Sequence, residues 1–274
     1  MLVNMNDVLL PAKKAGYGVG LFNTINSEMA KGVLRAAEKL QSPVIIGTAE
    51  VLLPLASLEE IADMLLPMAK RASVPVVVHF DHGLTEEACY RALDLGFSSI
   101  MYDCSTADYE TNLKKVKEMA KVAHAKGATI EAELGHVGEA GGEDPSAFYT
   151  DPQQAKEFVS NTGVDALAIA VGTAHGAYKF PPKLDFERIQ TIASLLPIPL
   201  VLHGGSGLTN ADFQKAIQCG ISKINIFTDI NQAYAKAAAK ALEKGATCAT
   251  DMLEDLIAGV AEETEKKMKL FLMK

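Results

Sequence analysis

The strongest constraint on this chain is an unbroken alternation of short β-rich runs with longer stretches of helical periodicity. Strand candidates lie at 17–23, 43–48, 75–81, 99–103, 129–135, 166–172, 199–204 and 221–228. Between them run helical patterns at 27–40, 57–72, 85–95, 108–126, 151–162, 185–195 and 209–219, and an alanine-rich helix follows the last strand. In the first of these, Met29, Val33, Ala36, Ala37 and Leu40 recur on one helical face. Ser57 and Glu60 give a Ser-x-x-Glu start, and Gly96, Gly127, Gly163 and Gly220 close the helices they follow. The run PVVVHFD at 75–81 is apolar almost throughout, as a strand buried on both faces should be. Eight successive βα units predict an α/β fold, a parallel sheet closed as a (β/α)8 TIM barrel, in one domain spanning 1–274. An open doubly wound sheet would carry a glycine-rich fingerprint after its first strand. Here Gly16, Gly18 and Gly20 precede that strand or sit inside it.

Two segments break the rhythm. Residues 136–150, which include GEAGGEDPSAFYT, are long, polar and glycine-rich, and are expected to form a mobile functional loop. Residues 250–270 predict an extra C-terminal helix without a strand of its own, packed across the barrel or against a neighbouring subunit. The charge balance, 26 Lys+Arg against 34 Asp+Glu, is net −8 and leaves no electrostatic footprint for nucleic acid or an anionic membrane. An anionic substrate must therefore be held by local positive ends. Cys89, Cys104, Cys219 and Cys248 are too widely spaced for a disulfide framework or a cysteine zinc site. No apolar run approaches the roughly 18–20 residues of a membrane span, and the first ten residues lack a basic leader. The expectation is a cytoplasmic protein.

Barrel enzymes place their chemistry at the C-terminal ends of the strands. There the third strand ends in His79-Phe80-Asp81-His82, the sixth in a stretch containing His175, and the seventh in His203. Three histidines from separate strands leave open positions on a zinc ion, as a catalytic site requires. His79 lies one layer deeper, where packing is the expected role, His124 reads as a surface residue, and His136 stays open. Asp81, Asp103 and Glu133 share the rim, and carboxylates inside strands are costly unless paired or bound to metal. Glu131 is as readily a structural partner on the same face. Independently, Gly204-Gly205-Ser206-Gly207 follows the seventh strand, and backbone N–H groups of such a loop bind anions without net positive charge.

Over nearly the whole chain these motifs resemble the class II, zinc-dependent ketose-bisphosphate aldolases. They are Phe22-Asn23, SPVI at 42–45, HFDHG at 79–83, EAELG at 131–135, the 149–152 region, AHGAYK at 174–179, LHGGSG at 202–207 and KINIFT at 223–228. The length is similar to the shorter branch that includes tagatose-bisphosphate aldolases. The resemblance implies His82, His175 and His203 as ligands of one catalytic zinc, with Asp103 and Glu133 holding a second or alternative metal position. It also implies a monovalent cation. Asp81 corresponds to the acid/base for the C4 hydroxyl proton. Glu143, with Glu139 as the alternative, corresponds to the base that acts on dihydroxyacetone phosphate. Asn23, Thr48, Gly176, Lys179, Gly204, Gly205, Ser206, Asn225, Ile226, Phe227 and Thr228 would line the substrate site. Phe227 departs from the family, which often has a small residue or an aspartate there. Thr48 stands where serine is frequent, Cys104 where glycine or alanine is usual, and the tail lacks an obvious arginine for a second phosphate.

The implied reaction is reversible cleavage of a ketose 1,6-bisphosphate or related ketose 1-phosphate into dihydroxyacetone phosphate and an aldehyde, in a homodimer or homotetramer. Three rivals are weighed against it. A Schiff-base aldolase needs a lysine at the rim, whereas Lys223 opens the eighth strand and is expected at the opposite end, and Lys179 lies in a loop. A metal-dependent barrel enzyme acting on another phosphorylated sugar or sugar acid is the second, although its hydrolase form commonly starts with His-x-His and GLFN at 20–23 offers none. A non-catalytic sugar-phosphate-binding barrel is the third; retention of Asp81 and of every proposed ligand argues against it.

Overall fold

The structure, a computed structural model, describes residues 1–138, 148–176 and 182–273. Eight strands close into a parallel barrel in chain order. They are β1 (Val19–Asn23), β2 (Val44–Ala49), β3 (Val76–Gly83), β4 (Ser99–Tyr102), β5 (Thr129–Leu134), β6 (Ala166–Ile169), β7 (Leu200–Leu202) and β8 (Ile221–Ile226), with β8 pairing back onto β1. The surrounding helices are α2 (Ser27–Leu40), α3 (Leu58–Arg71), α4 (Glu86–Leu95), α5 (Tyr109–Ala125), α6 (Pro152–Thr162), α7 (Phe186–Leu195), α8 (Asn210–Gln218) and α9 (Thr228–Glu243). Ser57 caps α3 through a reciprocal capping box with Glu60, and left-handed glycines end α4 and α6 at Gly96 and Gly163.

Two helices lie outside the repeat. α1 (Met5–Ala15) was not expected from the sequence; Asn4 and Asp7 form its capping box. Its buried face, Met5, Val8, Leu9 and Ala12, plugs the N-terminal end of the barrel against Val19, Leu21, Ile45, Val77, Ala166, Ala168 and Val201. α10 (Ala249–Phe271) is the expected terminal helix and packs on the chain's own α2 and α9. Its last residues reach the start of β1, where the Gly18 N–H donates to the Phe271 carbonyl at 2.9 Å.

Alternation along each strand then divides the interior into layers. The outward set, including Phe22, Ile46, Val78, Phe80, Ile100 and Ile130, packs beneath the helices. The inward set is apolar over α1 and becomes polar towards the other end, with Asn23, His79, Asp81, Glu131, Glu133, His203, Lys223 and Asn225 all buried. That upper layer positions the site. β6, β7 and β8 are each shorter than expected from the sequence. Gly172 (φ 106°) and Gly204 (φ 64°) leave the extended region in the left-handed sense and peel the chain off the barrel, and Thr228 already opens α9.

Candidate active site

Three imidazoles converge at the C-terminal mouth. His82 sits near the end of β3, where the register against β4 shifts between Phe80 and Gly83, and its φ of 42° is left-handed. A non-glycine residue there costs about 1–3 kcal/mol, and such strain concentrates at functional positions. His203 directly follows β7, and His175 lies in the loop after β6. Gly204 lets those two loops touch: a Cβ on it would stand 2.3 Å from the Ala174 carbonyl oxygen. The ring centroid of His82 lies 4.9 Å from that of His175 and 4.5 Å from that of His203. One nitrogen from each ring lies within 4.8 Å of the other two.

The hydrogen bonds of these rings leave particular nitrogens free. His82 Nδ1 is 2.8 Å from Asp103 Oδ2, and His203 Nε2 is 2.8 Å from Glu131 Oε1. That leaves His82 Nε2 and His203 Nδ1 buried without a hydrogen-bond partner among the described residues. Two buried nitrogen lone pairs beside a third imidazole fit the donor set of a divalent transition ion. Electrostatics agrees with a site built for positive charge. Burial alone would lower His203, but the adjacent Glu131 and Glu133 carboxylates outweigh that and push it up to about 10. His175 is lowered to about 4, by burial first and then by the neighbouring imidazoles.

Around this triad the carboxylates divide into two groups. Asp103 and Glu133 form a second potential ligand set with His82, and Glu133 Oε2 is 3.3 Å from His203 Nδ1. Asp81 and Glu131 are already compensated. Asp81 Oδ2 accepts the Asn23 amide at 2.8 Å, and its Oδ1 accepts the Asn225 amide at 3.0 Å. Burial would raise the Asp81 carboxyl, but the charges of His82, Lys223 and His203 outweigh it and hold it well below the usual carboxylate range. Glu131 Oε2 lies 2.8 Å from Lys223 Nζ, and both side chains are fully buried. This corrects the expectation for Lys223: although it lies near the start of β8, its long side chain sits in the interior against Glu131. His79 is the packed residue expected, its Nδ1 2.8 Å from Ser99 Oγ. His124 is exposed and pairs with Asp165 at 2.8 Å.

A single cavity of about 460 Å³ collects Asn23, Asp81, His82, Asp103, His175, Gly176, Gly204, Gly205, Ser206, Asn225, Ile226, Phe227 and Thr228. His136, left open by the sequence, lines it too; its Nδ1 lies 3.1 Å from Ser105 Oγ. Ser206 Oγ accepts the Asp229 N–H at 3.4 Å, so the glycine loop abuts the first turn of α9. Thr48 is a correction. It shares the outward face of β2 with Val44 and Ile46, its hydroxyl is buried, and Ala49 lines the cavity in its place. A one-residue offset in a strand reverses the face. Glu143, Glu139 and Lys179 lie outside the described residues.

The sequence profile described as Fructose-bisphosphate aldolase class-II matches residues 3–274. The chain belongs to the class II fructose-bisphosphate aldolase family. It is accordingly an aldolase, a carbon–carbon lyase of carbohydrate metabolism. It is 39% identical over 271 residues to the fructose-bisphosphate aldolase of Thermus caldophilus, covering 89% of this chain and 88% of that one. The crystal structure of the YdjI aldolase from Escherichia coli K12 superposes with a TM-score of 0.91 at 38% identity, covering 99% of this chain and 97% of that one. A putative fructose-1,6-bisphosphate aldolase from Coccidioides immitis superposes with a TM-score of 0.89 at 30% identity, covering 98% and 96%. Among the described residues no helix is long and apolar enough to cross a membrane.

Proposed function

We propose that this chain is a zinc-dependent aldolase that reversibly cleaves a phosphorylated ketose into dihydroxyacetone phosphate and an aldehyde. The observation that carries the reading is the set of three convergent imidazoles, two with free buried nitrogens, beside the amide-clamped Asp81. His82, His175 and His203 would hold the zinc, which when bound supplies Lewis-acid polarisation of the ketone. Asp103 and Glu133 offer an alternative position through His82.

The remaining steps fall to the chain's own groups. Asp81, kept as a carboxylate, takes the hydroxyl proton as the carbon–carbon bond breaks and returns it in condensation. The Asn23 and Asn225 amides fix the direction of its lone pairs. Backbone N–H groups of Gly204, Gly205 and Ser206, the start of α9 at Thr228, Gly176 and Lys179 bind the phosphate of dihydroxyacetone phosphate. That remote contact holds the reacting carbons in register. Glu143 or Glu139 supplies the base from the loop after β5. The barrel is one domain of a cytoplasmic homodimer or homotetramer, and the cavity also uses a monovalent cation. Two further supports are the matching family profile and aldolase relatives near 40% identity.

The test is dihydroxyacetone phosphate release from a panel of ketose phosphates, before and after chelation, with a parallel borohydride treatment in the presence of substrate. Release should stop on chelation, return with zinc and survive borohydride. Release that persists through chelation but is abolished by borohydride would indicate a Schiff base and end the zinc reading.

A further inference from the structure

Resting on the aldolase reading above, we propose that the aldehyde half of the cavity accepts an aldehyde without a phosphate, so that the ketose handled here is a ketose 1-phosphate. The cavity has two chemically different ends. Gly176, Gly204, Gly205, Ser206 and Thr228 gather on the β6–β8 side, where backbone N–H groups and a helix start favour an anion. The far side is built by the segments after β2 and β3. In a closed ring of eight strands, β3 lies four positions from β7, directly across the mouth.

That far side is apolar. Ala49, Val51, Leu52 and Leu84 line it, with Val51 66% and Leu84 51% exposed in the free protein. Phe227 adds a benzyl group beside the phosphate loop. Backbone donors at this end are also taken: the N–H groups of Leu84 and Thr85, just ahead of α4, donate to Glu50 Oε2 at 2.7 and 3.0 Å. An internal carboxylate therefore already uses the two N–H groups that an external phosphate could otherwise take. The cavity's acidic side chains are Asp81 and Asp103, its imidazoles lie around the triad and at His136, and none of the described lining residues is Lys or Arg. Among the described lining residues no ammonium or guanidinium faces the place a second phosphate would take. An uncharged aldehyde with a short hydrocarbon or hydroxylated chain meets no such penalty and covers the exposed side chains.

The experiment is condensation by the zinc-loaded protein of dihydroxyacetone phosphate with propanal, lactaldehyde, glyceraldehyde or glyceraldehyde 3-phosphate, reading kcat/KM for each. At least one uncharged aldehyde should exceed glyceraldehyde 3-phosphate by about tenfold or more. V51R, which sets a guanidinium on the apolar wall, should shift that ratio towards the phosphorylated aldehyde by about tenfold. Glyceraldehyde 3-phosphate as the best acceptor overturns the inference and leaves the aldolase reading standing, as does a ratio that V51R does not move. Failure of every aldehyde to condense overturns both.

Discussion

Asp81 receives amide hydrogens from two strands on either side of the barrel seam, Asn23 on β1 and Asn225 on β8. Its orientation therefore depends on closure of the sheet as well as on β3. D81N preserves shape while removing the proton acceptor, so cleavage turnover should fall by about 10²–10⁴ while zinc content stays at the wild-type level. Paired kinetics and elemental analysis check this. Glu131 acts one layer below. It accepts from His203 Nε2, leaving Nδ1 free, and it neutralises Lys223. E131A should weaken zinc binding by about 10–100-fold in competition with a chromogenic chelator. It should also lower stability by about 3–5 kcal/mol in urea, because Lys223 is left buried and unpaired. E131Q, which retains an acceptor for His203, should recover most of the affinity. The gathering of His82, His175, His203 and Asp81 at one end of the barrel was legible because their motifs fall at strand ends. Lys223 was not, since position along a strand does not say how far a long side chain climbs. Thr48 was displaced from Ala49 by one residue, which alternation turns into the opposite face.

At the scale of elements, α10 and α2 approach so closely that a Cβ on Gly32 would stand 2.7 Å from Val260 Cβ and 2.8 Å from the Ile257 carbonyl oxygen. Alanine for glycine inside a helix ordinarily gains about 1 kcal/mol. Here the overpacking cost of about 1–3 kcal/mol is larger, so G32A should lower the urea midpoint. A raised midpoint would show that the helices can part without loss. The end of α10 contributes through Phe271, which is fully buried with its ring centroid 5.2 Å from that of Phe213. F271A should cost about 3–5 kcal/mol by denaturant titration. The sequence showed α10 through its periodicity but not that its partner is the chain's own α2. It did not show α1 at all. Pro11 interrupts the look of a helix there, and the Asn4–Asp7 capping box is the signal that identifies it afterwards.

At the scale of the whole molecule, eight βα units in series made closure legible, because the count that fits a ring was present without a fingerprint for an open sheet. What periodicity could not supply was the vertical sorting of the interior. The inward-facing residues form an apolar plug over α1 and a polar layer above it, and that stacking depends on the stagger between strands. The stagger brings β3, the loop after β6 and the residue after β7 to one point, although their histidines are 93 and 28 residues apart in sequence (175 − 82 and 203 − 175). The central claim is that this point holds the metal on which turnover depends. Its most direct test is anomalous diffraction at the zinc edge on crystals of active protein, paired with H203A. The account predicts one strong peak among His82, His175 and His203 in the wild type, lost together with activity in H203A. Full turnover from crystals with no anomalous peak between these rings would contradict it.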